Sequence, residues 1–148
     1  MAVRNYQPDY TDFGISRDRY RELLAFCRQY QEWQAEARSL LGLSAQKYEN
    51  MPHGSDVGDP VFAVMLKRER LLAKIEMVES VADEVDQGRW RAALIQNICM
   101  GRALKFIDPA VLPTSRRNTF YQARRAFFVI LDKRVDKIRY SRGDTNAI

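Results

Sequence analysis

The stretch Ser115-Arg116-Arg117-Asn118-Thr119-Phe120-Tyr121-Gln122-Ala123-Arg124-Arg125 gathers the side chains of this chain best suited to recognition chemistry. Arg pairs bidentately with guanine, Asn and Gln pair with adenine, and Arg, Ser and Thr also hold phosphates, so the set suits a helix start lying in a major groove. With Phe120 taken as the inward direction, a turn of about 100° per residue sends Asn118, Gln122 and Arg125 to the opposite face, with Tyr121 beside them. A helix cap at Thr114 or Ser115 would add unpaired backbone N–H groups and a positive dipole end, both of which favour a phosphate. The candidate DNA-contacting residues are therefore Thr114, Ser115, Arg116, Arg117, Asn118, Tyr121, Gln122, Arg124 and Arg125.

Other chemistries have little to build on. His53 is the single histidine and sits among Gly and Pro, and Cys27 and Cys99 are too far apart for a C-x-x-C pair. Each cysteine falls on an apolar helical face, where a thiol behaves as a small hydrophobe. Glu76, Glu79, Asp83, Glu84 and Asp86 read as the solvated side of one helix, partnered by Lys74 and its neighbours. No Gly-rich phosphate loop, nucleophile elbow or metal-ligand spacing is present. The expectation is a protein that is not an enzyme, with no catalytic residue, metal or cofactor.

The charge is divided along the chain. Residues 1–88 hold eleven Lys/Arg against fifteen Asp/Glu, net −4, while residues 89–148 hold thirteen against four, net +9. That asymmetry points to a basic part that meets a polyanion such as nucleic acid. With 148 residues, 46% of them hydrophobic, the chain can bury a core without disulfides. No run approaches the roughly 18 apolar residues of a membrane span, and the start has no signal-peptide core, so a cytoplasmic protein is expected.

The elements that must position the basic stretch read as all-α. Residues 1–15 have no sustained period and are expected to form an arm, mobile unless Tyr6, Tyr10 and Phe13 dock. Ser16 is a candidate N-cap for one helix from Arg17 to Leu41, stopped by Gly42, with a seam of Tyr20, Leu23, Cys27, Tyr30, Gln34, Ala37 and Leu41 flanked by Leu24, Trp33 and Leu40. Residues 42–59 form a connection. Asp59-Pro60 then starts a second helix whose stripe is Val64, Leu71, Ile75, Val78, Ala82 and Val85, broken by Arg68 and ended by Gly88. Two such helices should lie antiparallel as a long αα-hairpin.

Residues 89–107 start a third helical region with a break or a bend at Gly101, and Trp90, Ala93, Leu94 and Ile98 on one face. Pro109 and Pro113 prevent a straight run, so either Ala103 to Ile107 is the first helix of a motif with an extended turn, or Asp108-Pro109 caps one extra turn. The last helix spans about residues 116–138, with Phe120, Phe127, Leu131 and Ile138 inward, assisted by Phe128 and Val135. Residues 139–148 are a polar, frayed tail. The resulting division is an arm 1–15, a hairpin 16–88 for oligomerisation or partner binding, a helix-turn-helix-like unit 89–138, and a tail 139–148.

The run Leu112-Pro113-Thr114-Ser115-Arg116-Arg117-Asn118-Thr119-Phe120-Tyr121, continuing into Arg124-Arg125-Ala126-Phe127-Phe128 and Leu131-Asp132-Lys133-Arg134, resembles the C-terminal part of small phage-encoded regulators of the RinA and ArpU type. Glu49 to Ser55 with Gly58-Asp59-Pro60 resembles their hairpin connection. The resemblance implies a helical hairpin followed by a sigma-factor region-4-like helix-turn-helix. It further implies sequence-specific DNA binding through Arg116, Arg117, Asn118, Tyr121 and Arg125. Residues 108–113 depart from the family's shorter turn. The expected function is a late-gene transcriptional regulator of a phage or prophage in the bacterial cytoplasm. It would bind double-stranded DNA as a homodimer through the hairpin, with RNA polymerase as a further partner. The competing reading is a non-enzymatic helical interaction protein, a packaging component or an inhibitor of a host system. An RNA binder has less support, because most aromatic residues fall on apolar stripes.

Overall fold

The computed structural model describes residue 10 and residues 13–50 and 59–143, with side chains described except at 43–50 and 136–143. Among these residues the structure is all-α, without a strand. Five α-helices are present: α1 Arg17–Cys27, α2 Tyr30–Asn50, α3 Pro60–Glu84, the short α4 Arg91–Leu94 and α5 Arg117–Gly143. A π-helical turn, Ile95–Cys99, extends α4, tight 3₁₀ turns occupy Leu104–Phe106 and Pro109–Val111, and a turn with left-handed backbone at Asp86 and Gln87 occupies Val85–Gly88.

Local chemistry explains most starts and stops. Ser16 caps α1, its hydroxyl accepting the Arg19 N–H at 3.1 Å, and Asp59 caps α3 through the Val61 N–H at 3.0 Å with Pro60 behind it. α3 ends at Glu84, two residues before the stretch Asp86, Gln87 and Gly88, all at positive φ, which reverses the chain towards Trp90. Asp86 holds that bend by accepting the Trp90 indole N–H at 3.2 Å. Gly101, at φ 72°, turns the chain after the π-helical turn; a Cβ there would meet the Arg28 guanidinium. Of the two alternatives for Asp108-Pro109, the structure takes the extra turn: Asp108 accepts the Ala110 N–H at 3.0 Å and caps Pro109–Val111.

The first long helix differs from the sequence expectation in two ways. It breaks at Arg28 and Gln29, and after the break it continues past Gly42 to Asn50. The break moves the buried seam by one position, so Trp33 and Leu40 turn inward while Leu41 is exposed. α2 runs antiparallel to α3, fixed by Lys67 to Glu36 at 3.0 Å, Lys74 over the Trp33 ring at 5.7 Å and the Tyr30 hydroxyl to Glu79 at 2.6 Å. Arg68 fits the apolar stripe because its Nε donates to the Ala37 carbonyl at 3.2 Å. Burial and the Glu79 contact together raise the Tyr30 pKa above its ordinary value.

α1 packs against α5 and the Ile95–Cys99 turn, and α5 also contacts α3. Phe120, Phe127, Phe128 and Leu131 of α5 are fully buried among Leu23, Cys27, Val78, Val81, Trp90, Leu94 and Ile98. Part of the expected arm docks on this core. Tyr10 and Ile15 are buried, and the Tyr10 ring lies 5.1 Å from Tyr20 and 5.9 Å from Phe128. Tyr6, His53, the rest of the 51–58 connection and residues 144–148 lie outside the described residues, as does the Ile138 side chain. The expected tail begins later than 139, because α5 continues to Gly143. Among the described residues no helix is long and apolar enough to cross a membrane.

Candidate nucleic-acid interface

Residues 100–116 separate the helical stretch 91–99 from α5, in place of a three- or four-residue turn. This segment folds back on the start of α5 and leaves a half-open cleft of about 260 Å³. Leu104, Ile107, Pro109, Leu112 and Phe120 make its apolar lining, and Lys105, Arg116 and Arg117 bring cations to it. All three cations are exposed, and among the described residues none of them lies within ion-pairing distance of a carboxylate. Phe106 stands out from the turn at 69% exposure, with the Lys105 ammonium 5.0 Å from its ring centre.

Neither Thr114 nor Ser115 occupies the cap position expected of it. The Arg116 carbonyl accepts the Phe120 N–H at 3.3 Å and so stands at the cap, while the Thr114 hydroxyl accepts the Arg116 N–H at 3.3 Å and shapes the approach. The helix still presents its N-terminus beside the cationic cleft, where the dipole adds to the attraction for an anion.

The predicted site residues divide into two groups. Ser115, Arg116, Arg117, Asn118, Tyr121 and Gln122 are exposed on the first two turns of α5 and the residues before it, and Thr114 is half-buried beside them. Tyr121 rests edge-on against Phe120 with ring centres 5.4 Å apart, which braces the exposed face on the core.

Arg124 is a correction: it is only 9% exposed and turned inward. Its Nε donates to the Asn97 side-chain carbonyl at 2.9 Å, its Nη1 donates to the Tyr10 hydroxyl at 3.2 Å, and its guanidinium lies 5.0 Å from the Phe128 ring centre. The reason is periodic, since four residues of α-helix return within about 40° of the Phe120 direction. Arg125 is half-buried with its guanidinium 5.2 Å from the Phe13 ring centre, and is less available than a solvent-facing arginine. Two cations were missed, Lys105 and Arg102, both exposed; Arg102 Nη1 donates to the Gln96 side chain at 3.0 Å. The regional basic excess was the one signal for them.

Three carboxylates of α3, Glu79, Asp83 and Glu84, are engaged rather than merely solvated, while Glu76 is exposed as expected. Asp83 and Glu79 pair with Arg91 at 2.9 and 3.2 Å, Glu84 pairs with Arg134, and Asp132 of α5 pairs with Arg19 at 2.6 Å. The acidic first part therefore neutralises some of the basic second part inside the molecule, and the cleft cations are among those left over. Cys27 and Cys99 are both buried, and the hydrogen bond between the thiols, together with burial, pushes the Cys27 thiol far up, which disfavours the thiolate. Among the described residues no cluster of three His, Cys, Asp or Glu could hold a metal ion. Comparison with protein-family models, curated proteins and solved structures gives no match.

Proposed function

We propose that this chain is a sequence-specific double-stranded DNA-binding protein. Its contact surface is the start of α5, with Lys105 supporting it from the Leu104–Phe106 turn. The observation that carries this reading is the grouping of Lys105, Arg116 and Arg117, exposed and, among the described residues, without carboxylate partners, beside a helix start that also exposes Asn118, Tyr121 and Gln122. Cations hold the phosphate backbone and fix register, while Asn and Gln can read base edges from the first turns of a helix. The long segment 100–116 replaces a tight turn, so the helix would approach the groove with its N-terminal end rather than along its length.

The resemblance of residues 112–134 to RinA- and ArpU-type regulators supports a role in late-gene transcription of a phage or prophage, inside a bacterial host. In that role α2 and α3 serve as the hairpin for a second copy or for RNA polymerase. One observation favours the competing interaction-protein reading. Leu41, Phe62, Met65 and Leu66 are all exposed towards the 51–58 end of α2 and α3, and exposed apolar side chains gathered in one region commonly mark a protein contact.

Salt dependence separates the two. For a duplex binder the logarithm of affinity falls with the logarithm of salt by about 0.9 per phosphate neutralised. The double variant Arg116→Ala, Arg117→Ala is expected to flatten that slope by about two units, one for each lost phosphate contact. A slope unchanged in the double variant would remove α5 from the interface. No salt-dependent duplex binding in the parent protein would favour the protein-contact reading.

A further inference from the structure

The cleft between the Leu104–Phe106 turn and α5 combines two chemistries that a phosphodiester does not use together. Its lining includes Leu104, Ile107, Leu112 and Phe120, so it offers apolar surface to the body of a ligand. Its cations, Lys105, Arg116 and Arg117, offer charge to an anionic head. A cavity of about 150 Å³ holds benzene, so a cleft of about 260 Å³ has room for one substituted ring. A cationic ligand would meet three like charges, and a neutral one would leave them without a counter-charge. A molecule that carries one carboxylate on a single flat ring matches the size, the lining and the charge at once.

We propose that this cleft is a binding site for small aryl carboxylates, with the ring against the apolar lining and the carboxylate against the rim cations. Binding in the cleft stands on the cavity and its side chains and needs no DNA. Its regulatory consequence does rest on the DNA-binding reading: Arg116 and Arg117 belong to both surfaces, so an occupied cleft and a bound phosphate backbone exclude each other.

The test uses three molecules of one frame, benzoate, benzamide and benzamidine, which carry negative, zero and positive charge. Each is titrated into the full chain, without DNA, while the NMR signals of the backbone amides and methyl groups are followed. Benzoate is expected to give saturable shifts centred on Leu104, Ile107, Leu112 and Phe120. Benzamide should bind roughly tenfold more weakly, since a charge-assisted hydrogen bond exceeds a neutral one by about that factor. Benzamidine should give no shift in the cleft. In the variant Arg116→Ala, Arg117→Ala, whose changes lie on the surface, benzoate should fall to the level of benzamide. Equal binding of benzoate and benzamide would overturn the proposal. So would cleft shifts with benzamidine, benzoate shifts centred on Phe62 and Met65, or the absence of any saturable benzoate shift.

Discussion

Replacing Phe128 with Ala is expected to lower the free energy of unfolding by about 3–5 kcal/mol. The side chain is fully buried where the N-terminal arm, α1 and α5 meet, with ring centres of Tyr20, Phe127 and Tyr10 at 4.9, 5.5 and 5.9 Å. Truncation removes the transfer free energy of the ring and leaves a cavity that three rigid aromatic neighbours cannot close. A domain of this size is stable by only about 5–15 kcal/mol, so the variant should sit near its unfolding threshold. Urea denaturation followed by tryptophan fluorescence measures this, with Phe106→Ala as the internal control, because truncating an exposed ring should shift stability by no more than about 0.5 kcal/mol. A loss at Phe128 below about 1 kcal/mol would mean that this aromatic junction is not packed as described.

The second large effect is expected at Arg124. Arg124→Met keeps much of the stem but removes the donors to Asn97 and Tyr10 and the charge beside Phe128. Two acceptors, one buried and one part-buried, then lose their partner, each worth about 1–3 kcal/mol, and the cation–π contact adds about 1 kcal/mol, so a total loss of about 2–4 kcal/mol is expected after partial rehydration. Burial raises the Tyr10 pKa and the Arg124 charge opposes that rise, so loss of the guanidinium should leave the phenol harder still to ionise. The folded fraction of Arg124→Met should bind duplex DNA as the parent does, because the guanidinium faces the core and not the proposed interface. A variant that keeps its denaturation midpoint but loses duplex binding would place Arg124 at the DNA instead.

The same residue shows where sequence reading runs out. Its helical phase is inward, yet its type belongs with the exposed arginines around it, and only the convergence of Asn97, Tyr10 and Phe128 explains how a guanidinium is accommodated there. The apolar stripes of α3 and α5, the Asp59-Pro60 start and the inward direction of Phe120 were legible because each rests on local chemistry or on a regular period. The break at Arg28 and Gln29 was not, since no Gly or Pro marks it; its tertiary correlate is the packing of Arg28 beside Gly101. Once the chain breaks there, the seam passes from Gln34 and Leu41 to Trp33 and Leu40, a slip that a continuous period cannot foresee.

The candidate interface was legible in residue type and less so in reach. Asn118, Tyr121 and Gln122 are exposed as their phase requires, and Arg116 and Arg117 are exposed because they stand at the helix start, whereas the partial burial of Arg125 depends on Phe13, far away in sequence. The division of charge also meant less than its total suggested. Arg91 and Arg134 of the basic part are taken up by Glu79, Asp83 and Glu84 of α3, pairings that sequence distance conceals. The cations that remain around the start of α5 carry the functional reading.

Selection of bound duplexes from a sheared genomic library tests that reading most directly. It is run at near-physiological salt with excess nonspecific competitor, on the parent protein and on Arg116→Ala, Arg117→Ala. Recovery of one defined site by the parent and its loss in the double variant is the predicted result, because specific binding exceeds nonspecific binding by about three orders of magnitude or more. Recovery of no sequence above background by the parent protein would contradict sequence-specific DNA binding and leave the exposed Phe62 and Met65 surface as the place to seek a partner.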